Sequence, residues 1–475
     1  MERRDKGRKK TQQDRGAGKA PPRPRRSKLD SAGDKILLGW SKEDEGIAIG
    51  FGSQPKQRRK AGEPVWLDGE GHLITIAPTG AGKGRGGLLP NLISYQGSAI
   101  VIDPKGEAYR ITRRAREEMG QKVHVIDPFG LVTEETDSLN PLDAFDIPGV
   151  DMSGVAMDIA KQLSGGSRSL KDPFWDVRGH DLSAGLICAA ASLHKDDKEK
   201  RTLAEVRRML KADDVTYNLA LLLDSSGGKL HRYAYEEIAS FVQTTDVTRS
   251  GIHATACSYY SVIASDAAQR TIMSSTIDLN AVRRGDPMTI YLVVPPSKLA
   301  SHAALFRLWT AVLMTAVLSR DGDLPEHRTL FAIDECAQLG DFETLAMVYT
   351  LARSYGMRVW AFFQDLAQVQ RMLPHEWRTV LTNTAVIQTF GVANHLMATE
   401  LSHILGDFTS DELRTMDRGN VALQISGRPG LMARRPDYLL DAAYRGKFDP
   451  HPMYANRTPK PASPAPRPRR RPRPN

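Results

Sequence analysis

Cysteine is scarce in this 475-residue sequence, which has three: Cys188, Cys257 and Cys336. Their wide, unpaired spacing argues against a zinc site or a disulfide framework and fits a reducing compartment. No run of 18 or more apolar residues is present; the best candidates, residues 182–193 and 308–318, are short and interrupted by polar residues. The basic N-terminus also lacks the apolar stretch of a secretory signal. We therefore expect no segment that spans a membrane by itself.

The net charge of +9 is concentrated at the two ends of the chain. Residues 1–30 hold 12 Lys/Arg against 4 Asp/Glu, a charge of +8, and residues 457–475 hold 7 Lys/Arg and no acids. The remainder, residues 31–456, carries 46 basic and 52 acidic residues, or −6. A uniformly basic nucleic-acid-binding surface is thus excluded for the body of the protein.

Both ends are rich in Pro and Arg and poor in apolar residues, so they cannot bury enough surface to offset the entropy of ordering. We expect residues 1–34 to be a disordered basic arm and residues 451–475 a disordered Pro/Arg-rich tail. Such arms either contact phosphates or anionic lipid through screened charges, or only keep the protein in solution.

Between the arms, short apolar strands alternate with helical stretches, which is typical of a mostly parallel sheet covered on both faces. Seven strands are predicted, at residues 73–77, 99–102, 123–126, 288–294, 329–333, 358–363 and 386–390. A small β-hairpin is expected within residues 35–66. The fold class is therefore α/β.

The pattern changes to helical periodicity between residues 149 and 284, for example at 201–210, 233–244 and 253–264. The sequence predicts an all-α domain at 149–284, inserted into an α/β domain formed by residues 35–148 and 285–450.

The first strand runs into a glycine-rich loop and then an apolar helical stretch. Glycines let backbone N–H groups wrap phosphates, while the helix N-terminus and Lys83 supply positive charge, so the loop predicts an ATP-binding P-loop. Ala77 stands where the first Gly is usual, and Gly84 replaces the hydroxyl residue that holds Mg²⁺. The residues predicted to bind the nucleotide are Thr79, Gly80, Ala81, Gly82, Lys83 and Gly84.

A second apolar strand ends in Asp334 and Glu335, an acidic pair that is costly there unless ligated. Asp334 is predicted to bind Mg²⁺, and Glu335 to orient or deprotonate the attacking water. Without a hydroxyl at Gly84, the Mg²⁺ would be held by Asp334, phosphate oxygens and water, which suits this strongly hydrated ion.

Two further residues complete the predicted catalytic set. Gln364 ends a strand that lies beside the Asp334 strand if sheet order follows chain order, and there it can sense the γ-phosphate. Arg353 is distant from the P-loop in sequence and is a candidate arginine finger for a neighbouring subunit.

Further short segments follow one another in a fixed order along the chain. They are Ala77-Pro78-Thr79, Gly82-Lys83-Gly84-Arg85-Gly86, Pro90-Asn91-Leu92, Ile102-Asp103-Pro104-Lys105-Gly106-Glu107, Asp127-Pro128-Phe129, Leu139-Asn140-Pro141-Leu142, Asp172-Pro173-Phe174-Trp175, Ser250-Gly251, Tyr291-Leu292-Val293-Val294-Pro295-Pro296, Asp334-Glu335-Cys336-Ala337-Gln338-Leu339-Gly340 and Phe363-Gln364-Asp365-Leu366-Ala367-Gln368. With these segments, the sequence resembles the TraG-like coupling proteins of conjugative type IV secretion over about residues 70–450.

This resemblance implies a RecA-like ATPase that forms a ring, expected to be a homo-hexamer, around a DNA channel. It implies a DNA translocase that recruits a single-stranded, relaxase-bound DNA and delivers it to the secretion channel. It also assigns the roles above to Lys83, Asp334, Glu335, Arg353 and Gln364, and it accounts for Gly84, which is common in this branch.

Typical family members begin with transmembrane helices, whereas this sequence begins with a basic arm. We therefore expect a cytoplasmic protein that a membrane partner or anionic lipid recruits to the inner face of the bacterial cell membrane.

Two other functions compete with this interpretation of the sequence. A septal FtsK-type translocase would carry a C-terminal winged-helix module, and only the Pro/Arg tail follows Arg445. A nucleotide-binding adaptor that recruits substrate and hydrolyses little ATP remains an alternative because of Gly84.

The charge distribution generates a test of the two arms. Deleting residues 1–30 and 457–475 should weaken DNA binding most at low salt, because Lys/Arg–phosphate contacts are screened by ions. Fluorescence anisotropy titrations of DNA with the full-length and the truncated protein, repeated over a series of salt concentrations, measure this loss of affinity. An equal loss at every salt concentration would contradict a phosphate-binding role.

Overall fold

The computed structural model describes residues 32–42, 62–165, 173–322 and 324–451. The predicted C-terminal tail, apart from His451, and nearly all of the predicted N-terminal arm lie outside these residues. Residues 56–60, a basic run of Lys, Gln and Arg within the range of the predicted hairpin, also lie outside them.

A single eleven-stranded sheet runs through the protein, in the order β2-β1-β11-β10-β9-β3-β8-β7-β4-β6-β5. The strands are β1 (Ile36–Trp40), β2 (Pro64–Leu67), β3 (Leu73–Ile76), β4 (Ala99–Asp103), β5 (Lys122–Ile126), β6 (Met288–Val293), β7 (Thr329–Ile333), β8 (Met357–Phe363), β9 (Val386–Thr389), β10 (Asn420–Ile425) and β11 (Leu431–Arg434).

Seven neighbouring strands, from β9 to β5 in sheet order, are parallel. Every residue of β3, β4, β6, β7 and β8 is buried, because helices cover both faces of a parallel sheet. These seven strands are the seven predicted from the sequence, with each end within one residue of its predicted position. The α/β class with a mostly parallel sheet is confirmed.

The remaining four strands form an antiparallel extension at one edge. Strand β10 pairs with β9, and β11 pairs with β10. The predicted hairpin is present as β1 and β2, and it joins the same sheet through the pairing of Trp40 with Arg434. The hairpin is thus part of the main sheet. Strands β10 and β11, by contrast, were not predicted from the sequence.

Sixteen α-helices are present in the described residues. They are α1 (Leu89–Leu92), α2 (Glu107–Glu118), α3 (Met152–Ser164), α4 (Phe174–Leu193), α5 (Leu203–Leu210), α6 (Val215–Ser226), α7 (Arg232–Gln243), α8 (Asp246–Tyr259), α9 (Asp266–Ile272), α10 (Leu279–Arg284), α11 (Pro296–Leu318), α12 (Glu343–Leu351), α13 (Leu366–Met372), α14 (Trp377–Asn383), α15 (His395–Leu405) and α16 (Ser410–Thr415).

Helices α3 to α10 all lie between β5 and β6, and the described residues of this insertion contain no strand. Side chains of the insertion, such as Ile187, belong to the same hydrophobic cluster as Phe331 on one face of the sheet. The insertion therefore packs directly on the sheet, and its limits as a separate domain at 149–284 stay a prediction.

The two apolar stretches that looked too short to span a membrane lie within longer helices, α4 and α11. Helix α11, with 23 residues and a mean hydropathy of 1.4 over its most apolar window, is long and apolar enough to cross a membrane. However, 67% of that window is buried inside the protein. Helix α11 packs against α3 and α10, as the core helix of a globular fold does.

A buried histidine lies where the chain enters β3. The Nδ1 atom of His72 accepts a hydrogen bond from the Val359 N–H at 3.1 Å, and its ring lies 5.0 Å from the ring of Tyr349. Burial, reinforced by the positive charges of Arg353 and Arg358, lowers the pKa of His72 to about 4. Folding therefore requires the neutral imidazole.

Because the folded pKa is the lower one, the unfolded chain takes up this proton first as the pH falls. The contribution of His72 to stability should be complete above pH 6.5 and lost on acidification toward pH 4, on the order of 3 kcal/mol in all. In His72→Gln, whose amide oxygen can still accept the Val359 bond, the free energy of unfolding should fall less steeply over this range. Urea denaturation across pH measures it, with the exposed His395→Gln as control; parallel curves for His72→Gln and wild type would contradict the assignment.

Candidate nucleotide-binding site

The glycine-rich loop connects β3 to the helix that continues into α1. Gly80 has φ 78° and Gly82 has φ 87°, a region that other residues rarely adopt, so these two glycines let the loop fold back on itself. Thr79 and Gly80 are exposed and Ala81, Gly82 and Gly84 are partly exposed, whereas Lys83 is buried. The loop residues around Lys83 are thus at least partly exposed, whereas Lys83 itself is buried.

Lys83 lies beneath this loop. Its Nζ donates a hydrogen bond to the Ala77 carbonyl oxygen at 3.0 Å. Burial lowers the pKa of Lys83, and the carboxylates of Glu335 and Asp334 oppose that shift. The ammonium group therefore lies within the electrostatic reach of the predicted acidic pair.

The acidic pair follows β7 directly. Burial and the neighbouring Glu335 raise the pKa of Asp334 to about 6, although Lys83 and Lys105 act in the opposite direction. A carboxyl group whose ionisation is this costly gains from a cation beside it. Asp334 is therefore suited to its predicted role as a metal ligand.

Glu335 is the one non-glycine residue with positive φ, at 50°, in the part of the chain that the structure describes. This left-handed conformation costs about 1 to 2 kcal/mol for a residue with a side chain. In it, the Glu335 Oε2 accepts a hydrogen bond of 2.8 Å from Gln364 Nε2. Backbone strain of this kind is concentrated at functional sites, and Glu335 is a predicted catalytic residue.

Gln364 directly follows β8, which lies between β3 and β7 in the sheet. Its backbone N–H donates to Gln368 Oε1 at 2.8 Å, and the Gln368 N–H donates to Asp365 Oδ1 at 2.8 Å. The turn after β8 is thereby held in place. Gln364 lies beside the acidic pair, as the sequence predicted from strand order.

The structure does not bring Arg353 to this site. Arg353 precedes β8 and Gln364 follows it. The two residues therefore lie at opposite ends of this strand, roughly 20 Å apart, because β8 has seven extended residues. Its guanidinium group donates to the Asn383 carbonyl oxygen. Arg353 therefore lies outside the site of its own chain, and its role as a finger for a neighbouring subunit stays a prediction.

Asp103, which no sequence prediction placed in the site, ends β4 beside β7. It accepts backbone hydrogen bonds from Glu107 at 3.0 Å and Tyr109 at 2.9 Å at the start of α2. Burial in the first place, and Asp334 in part, raise the pKa of Asp103 to about 7. The available signal was an Asp-Pro-Lys-Gly turn at the end of a buried strand.

Arg435 is the second residue that sequence reasoning missed. Its Nη1 donates to the carbonyl oxygen of Ala81 within the P-loop. No sequence signal could have found this contact, because more than 350 residues separate the two.

The donors suit Mg²⁺ only if the nucleotide completes the site. Within the described ranges, no group of three or more His, Cys, Asp or Glu could hold a metal ion by itself. Asp334 offers carboxylate oxygens beside the P-loop, and Mg²⁺ is commonly held by one or two carboxylates together with substrate phosphates and water. The residues present fit such a shared site.

A glycine-rich loop between a parallel strand and a helix, with a buried Lys83 and an acidic pair two strands away, defines the P-loop class of nucleotide-binding α/β proteins. The family model described as "Type IV secretory system Conjugative DNA transfer" matches residues 34–447. The chain belongs to that family.

Among relatives, the chain is 26% identical to "Conjugal transfer protein TraG" of Rhizobium radiobacter over 440 residues, which are 88% of this chain and 66% of that protein. It is 24% identical to "Protein VirD4" of Agrobacterium fabrum over 425 residues, or 82% of this chain and 62% of that protein. A "Probable conjugal transfer protein TraG" of Sinorhizobium fredii is 26% identical over 308 residues, 64% of this chain and 47% of that protein. The chain thus spans between about half and two thirds of the length of these relatives.

Among solved structures, the unbound coupling protein TrwBdeltaN70 matches with a TM-score of 0.61 and 14% identity over 77% of this chain and 85% of that chain. TrwB in complex with ADP and Mg²⁺ matches with a TM-score of 0.60 and 14% identity over the same shares. At this identity the likeness shows a shared fold.

Proposed function

We propose that this protein is an ATP-hydrolysing motor that couples a relaxase-bound, single-stranded DNA to a type IV secretion channel. The observation that supports this most is the arrangement of Lys83, Asp334, Glu335 and Gln364 at the carboxyl edge of the sheet. Membership of a conjugative DNA-transfer family supplies the substrate class. TrwB, which shares the fold, has been solved with ADP and Mg²⁺.

In this proposal each residue acts through a contact or charge described above. The P-loop amides and Lys83 hold the ATP phosphates. Asp334 would hold the Mg²⁺, which when bound offsets negative charge on the phosphates. Glu335, oriented by Gln364, takes the proton of the attacking water, and the same hydrogen bond lets Gln364 respond to what occupies the γ-phosphate position.

We further propose that the active form is a homo-hexameric ring at the inner face of the bacterial cell membrane. The position of Arg353, outside the site of its own chain, is the one expected of a finger for a neighbouring subunit in a ring. The basic arms supply charge for anionic lipid or DNA.

The adaptor alternative keeps its support from Gly84, since a P-loop without a hydroxyl gives Mg²⁺ one ligand fewer. Glu335 separates the two functions. Hydrolysis needs a carboxylate beside the P-loop, held in place even at the cost of backbone strain. An adaptor that only binds the nucleotide does not need one.

ATP turnover with and without single-stranded DNA tests the motor. DNA should stimulate the wild type. Glu335→Gln should retain ATP binding and lose at least about 100-fold in turnover, because the general base is removed, whereas Lys83→Ala should lose binding as well. The matched control is Glu199→Gln, an exposed carboxylate of the helical insertion. If DNA leaves the rate unchanged and Glu335→Gln still supports transfer in cells, the adaptor is the correct function.

Mixing two inactive variants tests whether Arg353 acts across subunits. Arg353→Ala and Glu335→Gln should each be inactive alone, yet mixed rings should regain part of the activity. The restored sites pair the intact Glu335 of one subunit with the intact Arg353 of its neighbour. The double variant mixed with either single variant serves as control, since one of the two residues is then missing from every subunit and no site can be restored. Arg353→Ala that is fully active alone, or mixtures that stay inactive, would contradict the finger.

A further inference from the structure

The segment that follows β11 crosses α2 and the helical turn that follows the P-loop, Gly84–Leu88, which we call the P-loop helix. Asp437 forms a bidentate ion pair with Arg85 of the P-loop helix, at 2.9 and 2.7 Å. Further along, Asp449 pairs with Arg114 at 2.8 Å. These contacts, together with the buried Tyr438 and Tyr444, hold residues 435–451 against the nucleotide-binding face of the fold.

Arg435 begins this segment and lies along the P-loop. Besides donating to the Ala81 carbonyl, its guanidinium carbon lies 4.6 Å from the centre of the Phe390 ring. Its Nη2 lies 3.5 Å from the point that a Cβ on Gly82 would occupy. The cation is thus positioned beside the part of the loop that would cradle phosphates.

The chain makes room for this side chain at Gly86. A Cβ added to Gly86 would lie 2.4 Å from Cδ and 2.5 Å from Nε of Arg435, distances that atoms in contact do not adopt. Only glycine at this position lets the arginine stem pass over the first turn of the helix. The close approach therefore depends both on the glycine at position 86 and on the position of Arg435 in the C-terminal segment.

Arg435 also lacks a counter-ion. Asp437, the nearest carboxylate of the segment, is engaged with Arg85, and Arg435 forms no ion pair among the residues that the structure describes. Burial lowers the pKa of Arg435, Asp437 partly offsets that effect, and Arg85 adds to it. A partly buried cation of this kind is stabilised by an anion that reaches it from the P-loop.

We infer that Arg435 is a phosphate-binding residue, supplied by the C-terminal segment to the nucleotide held by the P-loop of the same chain. This rests on the proposed function, because it takes the P-loop ligand to be a nucleotide. Arginine presents several donors in a planar fork, so Nη1 can remain on Ala81 while Nη2 contacts a phosphate oxygen. Lys83 and Arg435 would then approach the phosphates from two separate segments.

The alternative is that Arg435 only braces the loop through its bond to Ala81. Two substitutions separate the roles. Arg435→Gln keeps an amide donor for the Ala81 carbonyl and removes the charge, whereas Arg435→Lys keeps both a donor and the charge.

Isothermal titration of the full chain with ADP, ATP and adenosine measures the difference, with the exposed Arg428→Ala, in the turn between β10 and β11, as matched control. Arg435→Ala and Arg435→Gln should each weaken ADP and ATP by roughly tenfold or more, as expected for a lost charge-assisted hydrogen bond. Arg435→Lys should recover most of that loss, and adenosine affinity should not change. The tenfold loss should also shrink as salt rises.

Equal recovery by Gln and Lys would show a brace and overturn the inference, as would ADP affinity of Arg435→Ala equal to that of wild type. If Arg435→Ala fails to fold, the Gln and Lys pair still decides between the roles. Failure of the nucleotide binding on which the proposed function rests has another signature, in which the wild type binds neither ADP nor ATP. If the wild type binds and Lys83→Ala does not, while the Arg435 variants bind normally, only the inference on Arg435 is wrong.

Discussion

The hydrogen bond between Gln364 and Glu335 joins the ends of two neighbouring parallel strands, and the rest of the site depends on the pairing that makes it possible. Ile333 pairs with Ala361 in the register of β7 and β8. A slip of one residue would turn every side chain of a strand to the opposite face. Because β8 also pairs with β3, the same register sets the distance of the acidic pair from the P-loop.

Burial on both faces explains why the chemistry gathers at one edge. The middle residues of β4, β7 and β8 are apolar and buried, so the carboxylates and the amide of the site appear only where each strand ends. The buried Arg358 of β8 lies at the opposite end of that strand. There the carboxyl groups of Asp103 and Asp334 are crowded and partly or fully buried, which raises both pKa values. The strain at Glu335 adds to this cost. Strand packing over the whole sheet must hold these unfavourable groups together, and such clusters are characteristic of functional sites.

The apolar strands show how far sequence patterns reach. Runs such as residues 329–333 are buried on both faces and flanked by turns, so both their existence and their ends were predictable. Strands β10 and β11 are exposed in part and lie in an antiparallel extension, where burial leaves a weaker pattern. Because β11 was not predicted, the sequence also did not show how β1 joins the sheet, since β1 pairs with Arg434 of β11.

The sequence by itself determined the P-loop, the acidic pair and the seven parallel strands, because each is a local pattern: glycines that permit positive φ, a lysine at a helix start, and apolar runs of strand length. The sequence placed Gln364 beside the acidic pair, but only the tertiary structure decided its hydrogen bond to Glu335, the position of Arg353 at the opposite end of β8, and the electrostatic interaction of Asp103 with Asp334. The tertiary structure alone brought Arg435 onto Ala81 as well. These relations depend on strand order and register, which arise from packing between residues far apart in the chain and leave no mark in any one segment.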